Sequence, residues 1–517
     1  MIMKDWNNTR ISYVKWLSKT KLRKKFASQI KFDGFSLWWT TNLVEKYNRN
    51  NDGWYKNLNK KLNTKEKITV NTNNYLILSL KLVKNIFLIF LSLLIIKLFF
   101  FNKRIKIIKK KNCFYSVFFN LIPYKGKYID RQYGLTHLEN KEKKIFLIDL
   151  DLNYKILFKF KELKHKLKNS ALDYFILQRQ NNFTDIFRVY FRTFILLLKT
   201  YNILKNSNYF LINKIDCQEI LKPEIISSFF GQIQKNILNG IALERSLNII
   251  KPRNFVTNLI FYPTARTHYY YAKRSHVNNI ININHGIYSK QNIIFNINKN
   301  DFSNRLKNYY SPKPDFFLCK GFKDYQNLKK IFTSKKIYMI GCLKADLRPI
   351  FEKKKNKDKK TRKIVTVLTG ETDINTFIKI LNECNLKKFI VYLDTHPHNK
   401  KKVLEVFKKK LNKKFIDGSK ISKKRLYRIS DYILFGDTQL GLELAIKNYK
   451  VIKVYDKEFI PQYDINNEVP LALNKFDLVK LLNKKNLYVN KKNLEKNYFY
   501  KYDGKASLRM EKILEKI

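Results

Sequence analysis

From about residue 140 to 455 the sequence alternates short apolar runs with longer helical stretches, and no other feature restricts the fold as much. The runs "KIFLIDLDL", "NFVTNLIFY", "NIININHG", "DFFLCKG" and "KIYMIG" have the length and β-branched or aromatic content of strands. Helices are predicted around 218–249 and 264–275. After the charged stretch "FEKKKNKDKKTRK" at 351–363 a second series begins with "IVTVLTG". It continues through "KKFIVYLDTHP", a helix at 399–411, "KKFIDG", "SDYILFGD", a helix at 439–447 and "KVIKVYD". A strand followed by a helix that returns to a neighbouring strand is the βαβ unit, and its repetition builds parallel sheets covered by helices. The expected fold class is therefore α/β, with two Rossmann-like domains at 112–345 and 346–517 joined by a charged linker near 345–363.

The first 111 residues read differently. All five tryptophans, Trp6, Trp16, Trp38, Trp39 and Trp54, lie in the first 54 residues. That step in composition predicts a separate N-terminal module at 1–74 centred on "FDGFSLWWTTNLVEK", whose large amphipathic rings would suit either a sugar surface or a small aromatic core. Residues 75–111, "YLILSLKLVKNIFLIFLSLLIIKLFFFNKRIKIIKKK", form an apolar stretch followed by a basic run. The uninterrupted part, Ile86 to Ile96, falls short of the roughly 20 residues that cross a bilayer. Lys81, Lys84 and Lys97 can lay their stems along apolar surface, and the basic run suits anionic headgroups. A helix seated in the membrane surface is expected, with a true span and a buried core helix as the other readings.

A formal charge of +63 from 104 Lys and Arg against 41 Asp and Glu draws polyanions. The cations are 86 Lys and 18 Arg, spread over nearly every segment. Nucleic-acid readers cluster arginine for its bidentate fork, so this charge reads first as a solvated lysine surface and second as affinity for an anionic membrane. Cys113, Cys217, Cys319, Cys342 and Cys384 are odd in number, widely spaced and without a CxxC pair. They point to a reducing compartment and away from zinc. The opening "MIMKDWNNTR" lacks the apolar core of a secretory signal, which places the expected site of action in the cytoplasm.

Ligands of open parallel sheets bind beyond the carboxyl ends of the strands. Three polar stretches fall there: "NHG" at 284–286, "DTHPH" at 394–398 and "GDTQLGLE" at 436–443. In the last, the amides of Thr438 to Leu440 open a helix and form a phosphate cradle. Asp437 or Thr438 serves equally well as a plain N-cap. Glu443, one turn in, is placed to accept from sugar hydroxyls, though taken singly it is a surface glutamate. His396 and His398 resemble a metal-binding His-x-His pair, but no histidine follows to complete a site, so no metal cofactor is expected. An imidazole before Pro397, whose fixed φ turns the chain, suits contact with a phosphate or leaving group. His285 before Gly286 stands at the equivalent strand end of the first domain, and neutral imidazole titrates in the range a general base needs.

The ordered set "NHG" (284–286), "IGCLKADL" (340–347), "LDTHPH" (393–398) and "SDYILFGDTQLGLELAI" (430–446) resembles the two-domain transferases of bacterial surface polysaccharides. These comprise the polyglycerol-phosphate and capsule polymerases and the sialyltransferases with a His-Pro motif, all of the GT-B fold. "DGFSLWWTTNLVEK" is similar to a family of surface-carbohydrate (O-antigen) biosynthesis proteins. The resemblance implies that His396 and Pro397 contact the donor's phosphates, that Asp437, Thr438 and Gln439 with Gly370 complete that site, and that Glu443 holds the ribose. It implies His285 as the residue that deprotonates the acceptor, beside Gly286, with Trp38 and Trp39 as an acceptor surface. "IGCLKADL" lacks the proline that relatives carry after the glycine, and "GDTQ" replaces their serine-rich turn, so the donor is left open.

The expected activity is a glycosyltransferase moving a sugar from a nucleotide-activated donor to a glycan or lipid-linked acceptor, bound to the anionic inner face of a bacterial membrane. A glycerol-phosphate transferase of the same fold is the alternative. A basic nucleic-acid-binding protein and a non-catalytic assembly factor are the readings from other classes.

Overall fold

The computed structural model describes residues 2–44, 53–66, 75–102, 111–138, 143–151, 159–259, 261–284, 299–302, 310–347, 362–370, 373–395, 400–412, 414–436, 438–455 and 468–517. Two parallel sheets organise the chain. The first contains β1 (Asn112–Val117), β2 (Lys144–Asp149), β3 (Tyr174–Ile176), β4 (Asn254–Thr257), β5 (Asn279–Ile283), β6 (Phe316–Cys319) and β7 (Ile337–Met339). The second contains β8 (Lys363–Thr369), β9 (Phe389–Thr395), β10 (Ile416–Asp417), β11 (Tyr432–Phe435), β12 (Val451–Val454) and β13 (Leu471–Ala472).

Their spatial orders are β3-β2-β1-β4-β5-β6-β7 and β10-β9-β8-β11-β12-β13. Renumbered within its own domain, each sheet runs 3-2-1-4-5-6, the doubly wound order of dinucleotide-binding folds, with one further strand on the first. Every pairing within the two sheets is parallel. The β-branched, largely buried strands explain why: side chains alternate between faces, and both faces carry cores. Along β11, Tyr432 and Leu434 enter one core while Ile433 and Phe435 enter another on the opposite face.

Six helices matter below: α1 (Tyr75–Phe99), α2 (Phe183–Ile203), α3 (Gln232–Ile250), α4 (Pro263–Arg274), α5 (Gln439–Ile446) and α6 (Ala506–Lys516). The carboxyl ends of the two sheets meet. Lys320, just past β6, donates from Nζ to Gln439 Oε1 of α5 at 2.5 Å, and Lys323 pairs with Glu468 at 3.1 Å. Two Rossmann-like domains meeting in this way form the GT-B layout expected from the sequence.

Two expected boundaries are corrected. Residues 1–74 are not a separate module: Trp16, Trp38 and Trp39 lie in one continuous core with Phe114 and Ile145 of the first sheet. The Trp16 indole donates to the Tyr209 carbonyl at 3.1 Å, tying the segment to the domain that follows. The 346–517 unit also ends early, because α6 returns to the first domain. Met510 and Leu514 enter its core, and Glu511 forms a buried ion pair with Lys144 of β2 at 2.8 Å. Ser507 Oγ accepts the Leu135 amide at 2.9 Å. The single helix expected at 218–249 is two, Gln218–Ser228 and Gln232–Ile250. All five cysteines are buried free thiols.

Candidate functional site

In a doubly wound sheet the chain leaves the first and fourth strands toward opposite faces, and a crevice opens between them at their carboxyl ends. In the second domain these strands are β8 and β11, paired from Val365↔Tyr432 to Leu368↔Phe435. Gly370 follows β8 and Gly436 follows β11, so the two loops stand side by side. A single carboxylate organises them. Asp373 Oδ1 accepts the Gly370 amide and the Thr369 hydroxyl, each at 2.8 Å. A Cβ built on Gly436 would lie 2.1 Å from Asp373 Oδ2, so only glycine permits this close approach.

After that turn α5 begins. Thr438 caps it, its hydroxyl oxygen accepting the Leu440 amide at 3.3 Å. Gln439 is the hub: its Nε2 donates to Glu443 Oε1 at 2.9 Å and lies 3.1 Å from Cys342 Sγ, while its Oε1 accepts from Lys320. Glu443 is buried and accepts the Tyr502 hydroxyl on its other oxygen at 3.3 Å. A cation from the first domain is thereby held at the N-terminal turn of a helix in the second. Both the ammonium and the helix end attract negative charge.

The strand that leads into "THPH" is braced by Asp394, which accepts from Tyr427 Oη at 2.5 Å and pairs with Lys423 at 3.2 Å. Across the junction, Asn284 ends its stretch of the first domain with Nδ2 donating to Asp324 at 2.9 Å. Asn282 Nδ2 donates to the Leu259 carbonyl at 2.7 Å. Further along that sheet edge Asp130 accepts the Gln132 amide at 2.6 Å and the Ser116 hydroxyl, and burial pushes its carboxyl up to about 6. Asp149 accepts from Tyr115, Gln178 and Asn239. Burial raises its pKa, and neighbouring Asp151 adds to the effect. His268 is wholly buried with its ring 4.5 Å from that of Tyr115, neither nitrogen has a partner, and burial holds it down to about 3.

Of the sequence-predicted residues, Gly370, Thr438, Gln439 and Glu443 come together at the switch point. Gly370 and Thr438 have their groups engaged locally, the first on Asp373 and the second as the helix cap. His285, Gly286, His396, Pro397 and Asp437 lie outside the described residues. Trp38 and Trp39 are corrected: at 1% and 3% exposure they offer no stacking face to an acceptor. Trp39 is instead clasped by the buried guanidinium groups of Arg23 and Arg266, each 4.6 Å from its ring centre, with Asp301 pairing Arg23 at 2.6 Å. Lys320, Asp373 and Tyr502 are residues that sequence reasoning missed. Lys320 is one of 86 lysines, so the sequence offered no signal that sets it apart. Among the described residues no three His, Cys, Asp or Glu side chains gather to hold a metal ion.

No protein-family model and no curated protein matches the chain. Among solved structures it is similar to the wall teichoic acid polymerase TagF, at 14% identity and a TM-score of 0.40, over 86% of this chain and 98% of that one. It is similar to a UDP-N-acetylglucosamine 2-epimerase from Rickettsia bellii, at 11% identity and a TM-score of 0.42, over 79% and 96% of the two chains. CalG4, the calicheamicin glycosyltransferase, matches at 10% identity and a TM-score of 0.41, over 79% and 98%.

Proposed function

We propose that this chain is a glycosyltransferase that moves a sugar from a nucleotide-activated donor to a bacterial surface glycan or its lipid-linked precursor at the inner face of the cell membrane. The observation that carries the reading is the Lys320–Gln439–Glu443 relay at the switch point. It sets a first-domain cation against the N-terminus of α5, where a donor's phosphates would be drawn by both.

In the proposed step the donor's nucleotide lies over β8 and β11 with its phosphates toward Lys320, His396 and the first amides of α5. Glu443 faces the ribose. His285 takes the proton of an acceptor hydroxyl, the oxygen attacks the anomeric carbon, and the carbon–oxygen bond to phosphate breaks. The electron pair leaves with the nucleotide, whose added charge the cation and helix end stabilise. The membrane-face part of the reading is supported by α1, whose stretch Leu82–Phe99 is long and apolar enough to cross a bilayer by length and composition alone, and by the lysine-rich surface.

The test is thermal stabilisation of the purified chain by a panel of UDP-, GDP-, CDP- and CMP-linked donors, CDP-glycerol included. A ligand of the folded state raises its stability by about 2.7 kcal/mol at 100 times its Kd. One donor is expected to act on the native chain and to lose its effect on Gln439→Ala, with Tm in the absence of donor preserved. A chain that no nucleotide stabilises refutes the proposal.

A further inference from the structure

Helix α2 is apolar on two sides. Its inward face, with Ile186, Val189, Tyr190 and Leu196, is buried, and Gln234 of α3 donates to its Thr193 at 3.0 Å. Its outward face carries Phe187, Phe191, Phe194, Ile195, Leu198 and Tyr201 at helical spacing, and Phe187 and Phe191 are 62% and 71% exposed. Solvent-facing aromatic rings repeated over four turns are not needed to fold a water-soluble helix, and apolar patches of this kind mark contact surfaces.

Helix α1 continues the same patch. It lies along α2, with the Phe90 and Phe183 rings 4.8 Å apart, and the two helices frame an apolar groove between Ile86 and Tyr190. Asn85, whose Nδ2 donates to the Phe230 carbonyl at 3.2 Å, and the buried Ile89, Leu93 and Ile96 hold α1 to the first domain. Only 22% of its Leu82–Phe99 stretch is buried, and Val83, Phe87 and Leu94 point outward.

Charge names the occupant. Together the two helices carry Lys84, Lys97, Arg188, Arg192 and Lys199 against a single carboxylate, Asp185. Asp185 is buried and accepts from Arg245 at 2.9 Å. Arg192 pairs with Asp33 at 2.6 Å beside the patch. Aromatic and aliphatic side chains edged by cations, with the one flanking acid, Asp33, held by Arg188 and Arg192, match the boundary between acyl chains and anionic headgroups.

We infer that α1 and α2 form one membrane-docking face, with α2 laid in the headgroup region and its phenylalanines inserted. This rests on the membrane-face part of the proposed function and extends it to a second helix.

The experiment is flotation of the full chain with vesicles of phosphatidylcholine alone and of phosphatidylcholine with phosphatidylglycerol, accompanied by light scattering. The triple variant Phe187→Ser, Phe191→Ser, Phe194→Ser is compared with Val83→Ser, Phe87→Ser, Leu94→Ser. All six side chains are exposed or nearly so, and thermal unfolding checks that each variant folds. The native chain is expected to float with phosphatidylglycerol vesicles. The α2 variant is expected to partition about 100-fold more weakly, about fivefold for each partly buried ring. If the α1 variant fails to float while the α2 variant floats as the native chain does, the inference about α2 falls and the membrane-face reading survives. A native chain that does not float removes both. A dimer in light scattering that the α2 variant dissociates, without vesicle binding, assigns the face to a second copy and overturns the proposal.

Discussion

Replacing Gly436 by alanine probes the way the switch-point loops are built. The φ of Gly436 lies outside the left-handed region, so contact rather than backbone conformation requires glycine there. A Cβ would sit 2.1 Å from Asp373 Oδ2 and 2.8 Å from its Cγ. Asp373 is too short to swing clear without giving up the Gly370 amide and the Thr369 hydroxyl. Hydrogen bonds to a charged group are worth about 1.5–3 kcal/mol each, and overpacking adds about 1–3 kcal/mol. Loss of one bond together with the overpacking puts the expected cost of Gly436→Ala at about 3–6 kcal/mol, read from urea unfolding. Asp373→Ala removes the same bonds but opens the space, so adding Gly436→Ala to it should cost less than about 1 kcal/mol. The coupling between the two positions is then at least about 2 kcal/mol, well above the additivity seen for independent sites. If Gly436→Ala costs the same in both backgrounds, Asp373 is not the obstacle and the reasoning fails.

Two buried titratable groups give predictions of opposite sign. The folded pKa of Asp130 is raised from 3.8 to about 6, chiefly by burial, so the protonated acid is favoured in the fold. Its contribution is full below pH 3.8 and is lost as pH rises through 6, a change of about 3 kcal/mol. Asp130→Asn mimics the protonated acid and should gain on the native chain by up to that amount between pH 4 and 8 in urea unfolding; a constant gap over this range would contradict it. Burial holds His268 down to about 3, so its contribution is present above the ordinary value of 6.5 and is lost as pH falls. At pH 5 the loss is about 2 kcal/mol, and His268→Leu should remove that slope. Parallel curves for the two chains from pH 7 to 5 would refute it.

Ten of the thirteen strands were legible because a buried strand leaves a concentrated apolar signal and the polar residues that end it stand out, whereas β1, β3 and β13 were not read from the sequence. "YILFGDTQLGLE" therefore reads directly as β11, a tight turn and α5, and Gln439 and Glu443 fall where the spacing puts them. Lys320 was not legible for the opposite reason. Among 86 lysines a single one has no contrast, and only the meeting of β6 with α5 in space singles it out. The tryptophans misled because composition records where rings lie along the chain and not what covers them. The core of the first domain extends over Trp38 and Trp39, and their expected exposed role requires a surface they do not have. Periodicity was silent on α2, since a helix apolar on both sides gives the same pattern whether its second face meets protein or something else.

The break between the two helices that the sequence presents as one bears on how the first domain holds α1. Gly231, at φ 131°, lets the chain turn from Phe230 into α3, in a conformation that side chains with a Cβ rarely adopt. A Cβ there would meet Asn85 Nδ2 at 2.7 Å, the atom that donates to the Phe230 carbonyl. The glycine thus serves the turn and the seating of α1 together. At its carboxyl end α1 is held again, the carbonyls of Lys97 and of Phe100, the residue after it, accepting from Arg179 at 2.9 and 2.7 Å. Between these clamps, Ile89, Leu93 and Ile96 enter the core that also contains Phe114 of β1. A helix held at its middle, at its carboxyl end and along the stripe between them moves with its domain. Any surface that α1 engages therefore fixes the orientation of the first sheet, and with it the strand end after β5 where the proposed acceptor chemistry is sited.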